Sequence, residues 1–232
     1  VTVLPLPATH LLEVPRPQPA LWSLAAAAGR LVEIAGAEDS AVLTLTTSLV
    51  FDAQQAGEQA AWILPAEASF FAPDVLESGV DLDALAVVRV PTAAAAARAA
   101  DKLLRSGSFG IVVLDIGSDP RVPTPLLARL ASLAQRNHSA LIFLTQPGLM
   151  QRGARHDRSP HGTVRPGDAP ASSDAASAGT SPLGSLISLR VRARRQRIAA
   201  DQFRCWLEVL KDKRRGPTWG HEEVCRGAPG MR

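Results

Sequence analysis

The chain has 232 residues, 46% of them hydrophobic and only 4% aromatic, with no tyrosine. That length suits one α/β domain with a sizeable core plus extensions, and no run approaches the ~20 apolar residues of a membrane span. Net charge is +3 but uneven: residues 187–232 hold twelve Arg and Lys against five Asp and Glu, a balance of +7, which leaves −4 on residues 1–186. A mildly acidic body with a basic C-terminal region suits contact with nucleic acid or with an acidic protein.

Residues 1–28, with several prolines and little periodicity, predict an extended N-terminal segment. No basic region followed by an apolar core marks a signal peptide, which predicts a cytoplasmic chain. From Gly29 an α/β alternation begins and runs to residue 210. "RLVEIAG" reads as a strand and 41–56 as a helix; "AAWILPAE" (60–67) is a second strand, and 71–78 a short helix. "ALAVVRV" (84–90) is a third strand, 92–106 a helix ending at Gly107, "FGIVVLDIG" (109–117) a fourth strand, 123–137 a helix and "SALIFLTQ" (139–146) a fifth strand. Near-continuous Val, Ile and Leu runs joined by helices argue for strands buried on both faces of a parallel sheet.

Residues 151–182, rich in Gly, Pro, Ser, Ala and Arg, lack hydrophobic periodicity and predict a long disordered loop. Two alternating segments, "GSLISLRVRARRQRI" and "FRCWLEVLKDKRR", predict antiparallel strands at the sheet edge. Residues 211–232 read as a basic, glycine- and proline-rich tail. Cys205 and Cys225, outside any C-x-x-C spacing, read as reduced thiols, and no metal site or cofactor is expected.

The order of these parts, over residues 28–217, resembles the ATPase core of the RecA recombinase family: an α/β, RecA-like core with a mostly parallel central sheet flanked by helices and antiparallel edge strands. "GAEDSAVLT" occupies the place of its phosphate loop. The degraded loop, "LLRSGSFGIVVLD" and "KDKRRGPTWGHEEVCRG" further resemble the ImuA family, RecA-like proteins encoded with ImuB and an error-prone polymerase in bacterial damage-inducible mutagenesis cassettes. That resemblance implies a non-catalytic adaptor in the SOS response and translesion DNA synthesis. Its implied partners are ImuB, RecA, the replicative-type error-prone polymerase and single-stranded DNA. An ATP-dependent DNA-binding enzyme with an altered loop, or an inhibitor resembling SulA, are the alternatives.

Carried over by resemblance, Gly36, Glu38, Ser40 and Thr44 match phosphate-loop positions, whereas Val42 stands in place of the lysine and Leu43 in place of the magnesium-binding hydroxyl. A triphosphate needs both. Val42 and Leu43 are therefore expected to close the site with core packing. Glu67, Asp115 and Gln146 match the water-activating glutamate, the Walker B acid and the γ-phosphate sensor as vestiges; Asp115 can equally cap its following turn. Arg152, Arg155 and Arg158 lie in the counterpart of the second RecA DNA-binding loop. Arg190, Arg192 and Arg194 fall on one face of a strand, where unpaired guanidinium groups would repel one another and invite an acidic partner. Lys211 and Lys213, with Arg214 and Arg215 beside them, match lysines that reach a neighbouring RecA subunit.

Overall fold

The computed structural model describes residues 20–36, 40–66, 68, 70–117, 120–146 and 181–226. After a four-residue helix, α1 (Leu24–Ala27), strands and helices alternate: β1 (Arg30–Ala35), α2 (Val42–Gln55), β2 (Gln59–Pro65), α3 (Ala72–Glu77), β3 (Leu85–Val90), α4 (Ala93–Ser106), β4 (Phe109–Gly117), α5 (Thr124–Asn137) and β5 (Ala140–Thr145). Three strands lie beyond residue 181: β6 (Leu189–Arg197), β7 (Gln202–Asp212) and β8 (Gly220–Arg226). All eight form one sheet in the order β3-β2-β4-β5-β1-β6-β7-β8. β6 runs parallel to β1, and only β7 and β8 reverse direction relative to their neighbours.

Strand alternation divides the core in two. Val32, Ile34, Val113 and Ile142 join Leu45, Leu49 and Ala53 of α2 on one face. Leu31, Val112, Leu114, Leu141 and Phe143 join Ala97, Ala100 and Leu104 of α4 and Leu127 and Leu130 of α5 on the other. These strands are apolar on both faces because helices cover both. The helix ends follow from local chemistry. The Thr92 hydroxyl accepts from the Ala95 N–H at 3.1 Å to start α4, and Gly107, at φ +69°, ends it in the left-handed conformation that glycine adopts without steric cost.

Residues 1–19, most of the segment expected to be extended, lie outside the described residues; the part from residue 20 onward packs on the core. Ser23 caps α1, and Trp22 is buried with its indole N–H donating to the Leu45 carbonyl at 3.2 Å. Residues 220–226, expected within a tail, form the third C-terminal strand. The charged letters of "GHEEVCR" conceal it, because an edge strand exposes alternate residues and carries charge there. That pairing also sets Cys225 opposite Phe203, two positions from Cys205, and both thiols are free. Among the described residues no helix is long and apolar enough to cross a membrane.

One buried ion pair staples the C-terminal strands to the start of the sheet. Arg30 meets Asp212 at 2.5 Å, with both side chains withdrawn from solvent. Arg30 also donates to the Ser188 carbonyl at 2.9 Å and hydroxyl at 3.0 Å. Asp212 accepts from the Arg214 N–H at 2.8 Å and the Trp219 indole at 3.0 Å. Burial pushes the Asp212 carboxyl up, but these donors together outweigh it and hold the group below the usual carboxylate range. The sign follows. A carboxyl depressed in the folded state supplies stability that is complete above its unfolded value of about 3.9, and loses it as pH falls through the lower folded value. Arg30→Met should leave Asp212 uncompensated and cost about 3–5 kcal/mol in urea denaturation at neutral pH. The same variant should lose less stability on acidification than the parent.

Candidate functional site

The loop after β1 is closed onto its own glycine. A Cβ at Gly36 would stand 2.2 Å from Ser40 Oγ and 2.4 Å from Val42 Cγ2, so both side chains already occupy the space above its Cα. The Gly36 N–H donates to the Thr145 carbonyl at 3.1 Å, which fixes the loop entrance beside β5. Ala41 is fully buried and Val42 only 8% exposed. The expectation for Leu43 fails, since it is 58% exposed. One residue on a helix rotates the side chain by about 100°, and at the first turn of α2 that step carries Leu43 away from the core that Val42 joins. Ala41, the N-cap of α2, offers no side-chain hydrogen bond, and Thr44 is half-buried. Among the described residues of the loop, Val42 and Leu43 stand where the resemblance places the lysine and the magnesium-binding hydroxyl, and neither side chain supplies that chemistry. Glu38 and Glu67 lie outside the described residues, as do Arg152, Arg155 and Arg158.

Asp115 and Gln146 lie at the carboxyl ends of β4 and β5, where open α/β sheets place ligands. The Gln146 N–H donates to the Gly117 carbonyl at 3.0 Å, and the Gln146 side chain is exposed. Asp115 is half-buried; burial pushes its carboxyl up, while the Gly117 N–H pulls it down.

The basic residues near the C-terminus form a different arrangement from an unpaired ladder. Glu33, fully buried in mid-β1, accepts from Thr145 Oγ1 at 3.1 Å and from Ser181 Oγ, and Arg190 Nε lies 3.3 Å from it. Arg192 and Arg194 share Glu208 at 3.2 and 3.5 Å. The three arginines do sit on one face, but each has a carboxylate. Lys211 and Lys213 converge on the Ser185 carbonyl at 3.2 and 2.7 Å. Burial and then the neighbouring Lys213 charge lower the Lys211 pKa, while Glu33 works the other way. Arg214 reaches back to the Ala28 carbonyl at 3.2 Å, and Arg215 is exposed. Lys211, Lys213 and Arg190 thus form one corner over Glu33. Sequence reasoning misses the buried acids Glu33 and Asp212. The only signal for either is a carboxylate inside an otherwise apolar run, "RLVEIA".

A parallel sheet with helices on both faces, a glycine loop between β1 and α2, and acidic and amide residues at the ends of β4 and β5 define a RecA-type α/β core. Comparison with known proteins agrees. The family described as the RecA N-terminal domain matches residues 20–144, and the chain belongs to that family. It is 33% identical over 137 residues to Protein RecA of Leifsonia xyli subsp. xyli, covering 51% of this chain and 38% of that protein. Protein RecA of Clavibacter michiganensis subsp. michiganensis is 34% identical over 137 residues, and that of Rhodospirillum rubrum 31%, with 38% and 37% of their lengths covered. The match thus spans under two-fifths of these relatives.

The Gly36 geometry is directly testable. Gly36→Ala should destabilise the domain by about 1–3 kcal/mol through overpacking against Ser40 and Val42. A thermal midpoint equal to the parent's would show the loop to be open there.

Proposed function

We propose that this chain is a RecA-derived accessory protein of damage-induced mutagenesis that acts by binding partners and does not turn over ATP. The observation that carries the reading is the packing of Ser40 and Val42 over Gly36, in the space a phosphate would need. Membership of the RecA family supports a role in DNA repair. The resemblance to the ImuA family narrows that role to translesion synthesis, with ImuB, RecA and the error-prone polymerase as partners and the protein as their adaptor.

The pair Lys211 and Lys213 supports a docking role. Lys213 is exposed and Lys211 half-buried, and their shared carbonyl at Ser185 presents both ammonium groups together. By resemblance, these lysines face a neighbouring subunit. Removing everything from Lys211 onward is a poor test of that role, because it deletes Asp212 and leaves Arg30 buried without its partner.

Two measurements decide. Calorimetric titration with millimolar ATP and Mg²⁺ should give no saturable heat; a fitted single-site isotherm would return the chain to the nucleotide-binding enzymes. Lys211→Ala with Lys213→Ala should reduce capture of purified ImuB or RecA at least tenfold, about 1.4 kcal/mol, with an unchanged melting midpoint. Full capture by the double variant would remove this corner from the partner surface.

A further inference from the structure

The body of the molecule, acidic in sum, conceals a basic face on the side of the sheet opposite α2. α4 carries Arg98, Lys102 and Arg105 at spacings of four and three, which places all three on one side of the helix. α5 carries Arg129 and Arg136 seven residues apart, two turns along one side. The two helices pack side by side on the same core. Between them they hold five basic residues and one acid, Asp101. Arg105, Arg129, Ser132, Leu133, Arg136 and Asn137 line a groove of about 430 Å³ between the helices.

Asp101 organises this groove and does not cancel it. Its side chain is only 10% exposed, and its two oxygens point to different helices. Oδ2 accepts from Arg105 Nε at 3.1 Å and from Arg105 Nη2, while Oδ1 lies 2.6 Å from Arg129 Nε. Both arginines are about half exposed, so the carboxylate fixes one edge of each guanidinium and leaves other N–H groups facing solvent. Arg98, Lys102 and Arg136 are exposed, and among the described residues none has a carboxylate partner.

We infer that the α4–α5 face is a sequence-independent docking surface for the phosphate backbone of duplex DNA. Planar guanidinium groups suit phosphate, which they grip with paired N–H donors. Neither helix contains an aromatic residue. A single strand is gripped by stacking its bases on aromatic rings, so this face offers nothing to splayed bases and everything to a continuous backbone. An acidic protein segment would bring apolar anchors seeking a pocket, and Leu133 alone provides a partly buried apolar wall. The surface shares no residue with the Lys211 corner or with the loop at Gly36, so variants of one leave the side chains of the others in place.

The test is fluorescence anisotropy of a short labelled duplex of mixed sequence against the full chain. The triple variant Arg98→Gln, Lys102→Gln, Arg136→Gln is used because it spares the Asp101 bridges and should fold with an unchanged melting midpoint. Between ~50 and ~200 mM salt the parent affinity should fall steeply, and the variant's log–log slope should be shallower by about 2–3, at ~0.9 for each phosphate no longer neutralised. At low salt its affinity should be at least tenfold weaker, whereas Lys211→Ala with Lys213→Ala should leave duplex affinity intact. Equal slopes and affinities for parent and triple variant overturn the inference. So does a loss confined to binding of a polyglutamate peptide with duplex affinity intact, which would assign the face to an acidic protein.

Discussion

Two charges buried in β1, Arg30 and Glu33, cannot be satisfied by the N-terminal part of the chain. Arg30 meets Asp212 on β7, 182 positions away. Glu33 meets Arg190 on β6 and the hydroxyls of Thr145 and Ser181. Breaking either buried pair leaves a charge stranded in a low-dielectric interior, at a cost of several kcal/mol. The central strand is thus incomplete until the C-terminal strands are laid beside it. This explains why β6 pairs directly with β1, and why a segment that reads as a basic appendage belongs to the core. Burying charge in this way contributes register more than net stability, since only one alignment of β6 and β7 brings both counter-charges home.

The same constraint separates the basic residues near the C-terminus into two kinds. Arg190 is tied to a fully buried carboxylate and cannot be withdrawn toward an outside ligand. Arg192 and Arg194 share Glu208, which is 46% exposed, and pairs at that exposure are worth about 0–1 kcal/mol. An external anion can displace Glu208 at little cost, whereas it cannot displace Glu33. Replacing all three arginines together therefore mixes a structural loss with a surface one, and a fall in DNA affinity from such a variant would carry no information about binding.

How much of the structure is legible in the sequence follows from the range of each interaction. Strand–helix alternation is local and therefore readable: the apolar runs around Val32, Val112 and Ile142 and the Gly107 stop all stand where periodicity puts them. Leu43 is misread because two adjacent apolar letters look alike, while the helix turns them to different sides. β8 escapes because Glu222, Glu223 and Arg226 break its apolar pattern, as an edge strand tolerates and a buried one does not. Alternation puts Arg190, Arg192 and Arg194 on one face correctly. Their partners stay invisible because Glu33 lies 157 positions before Arg190 and reaches it only through the parallel pairing of β1 with β6. The basic α4–α5 face is hidden for another reason, since summing charge over residues 1–186 averages it against acids on other surfaces.

Gly36 bears most directly on ancestry and activity. A glycine at this position in a phosphate loop leaves room for a ligand's oxygens beside the backbone. Here the glycine is kept, yet the room is taken by Ser40 and Val42 from the same loop. A valine that replaced lysine at random could have pointed outward, as Leu43 does. Its packing against Gly36, with Ala41 fully buried beside it, means the loop holds apolar packing in place of the cation it lacks. Restoring a lysine at position 42 alone would therefore bury an ammonium group in a site now shaped for a methyl. On the proposed reading of this loop, a lysine there would need the loop repacked around it.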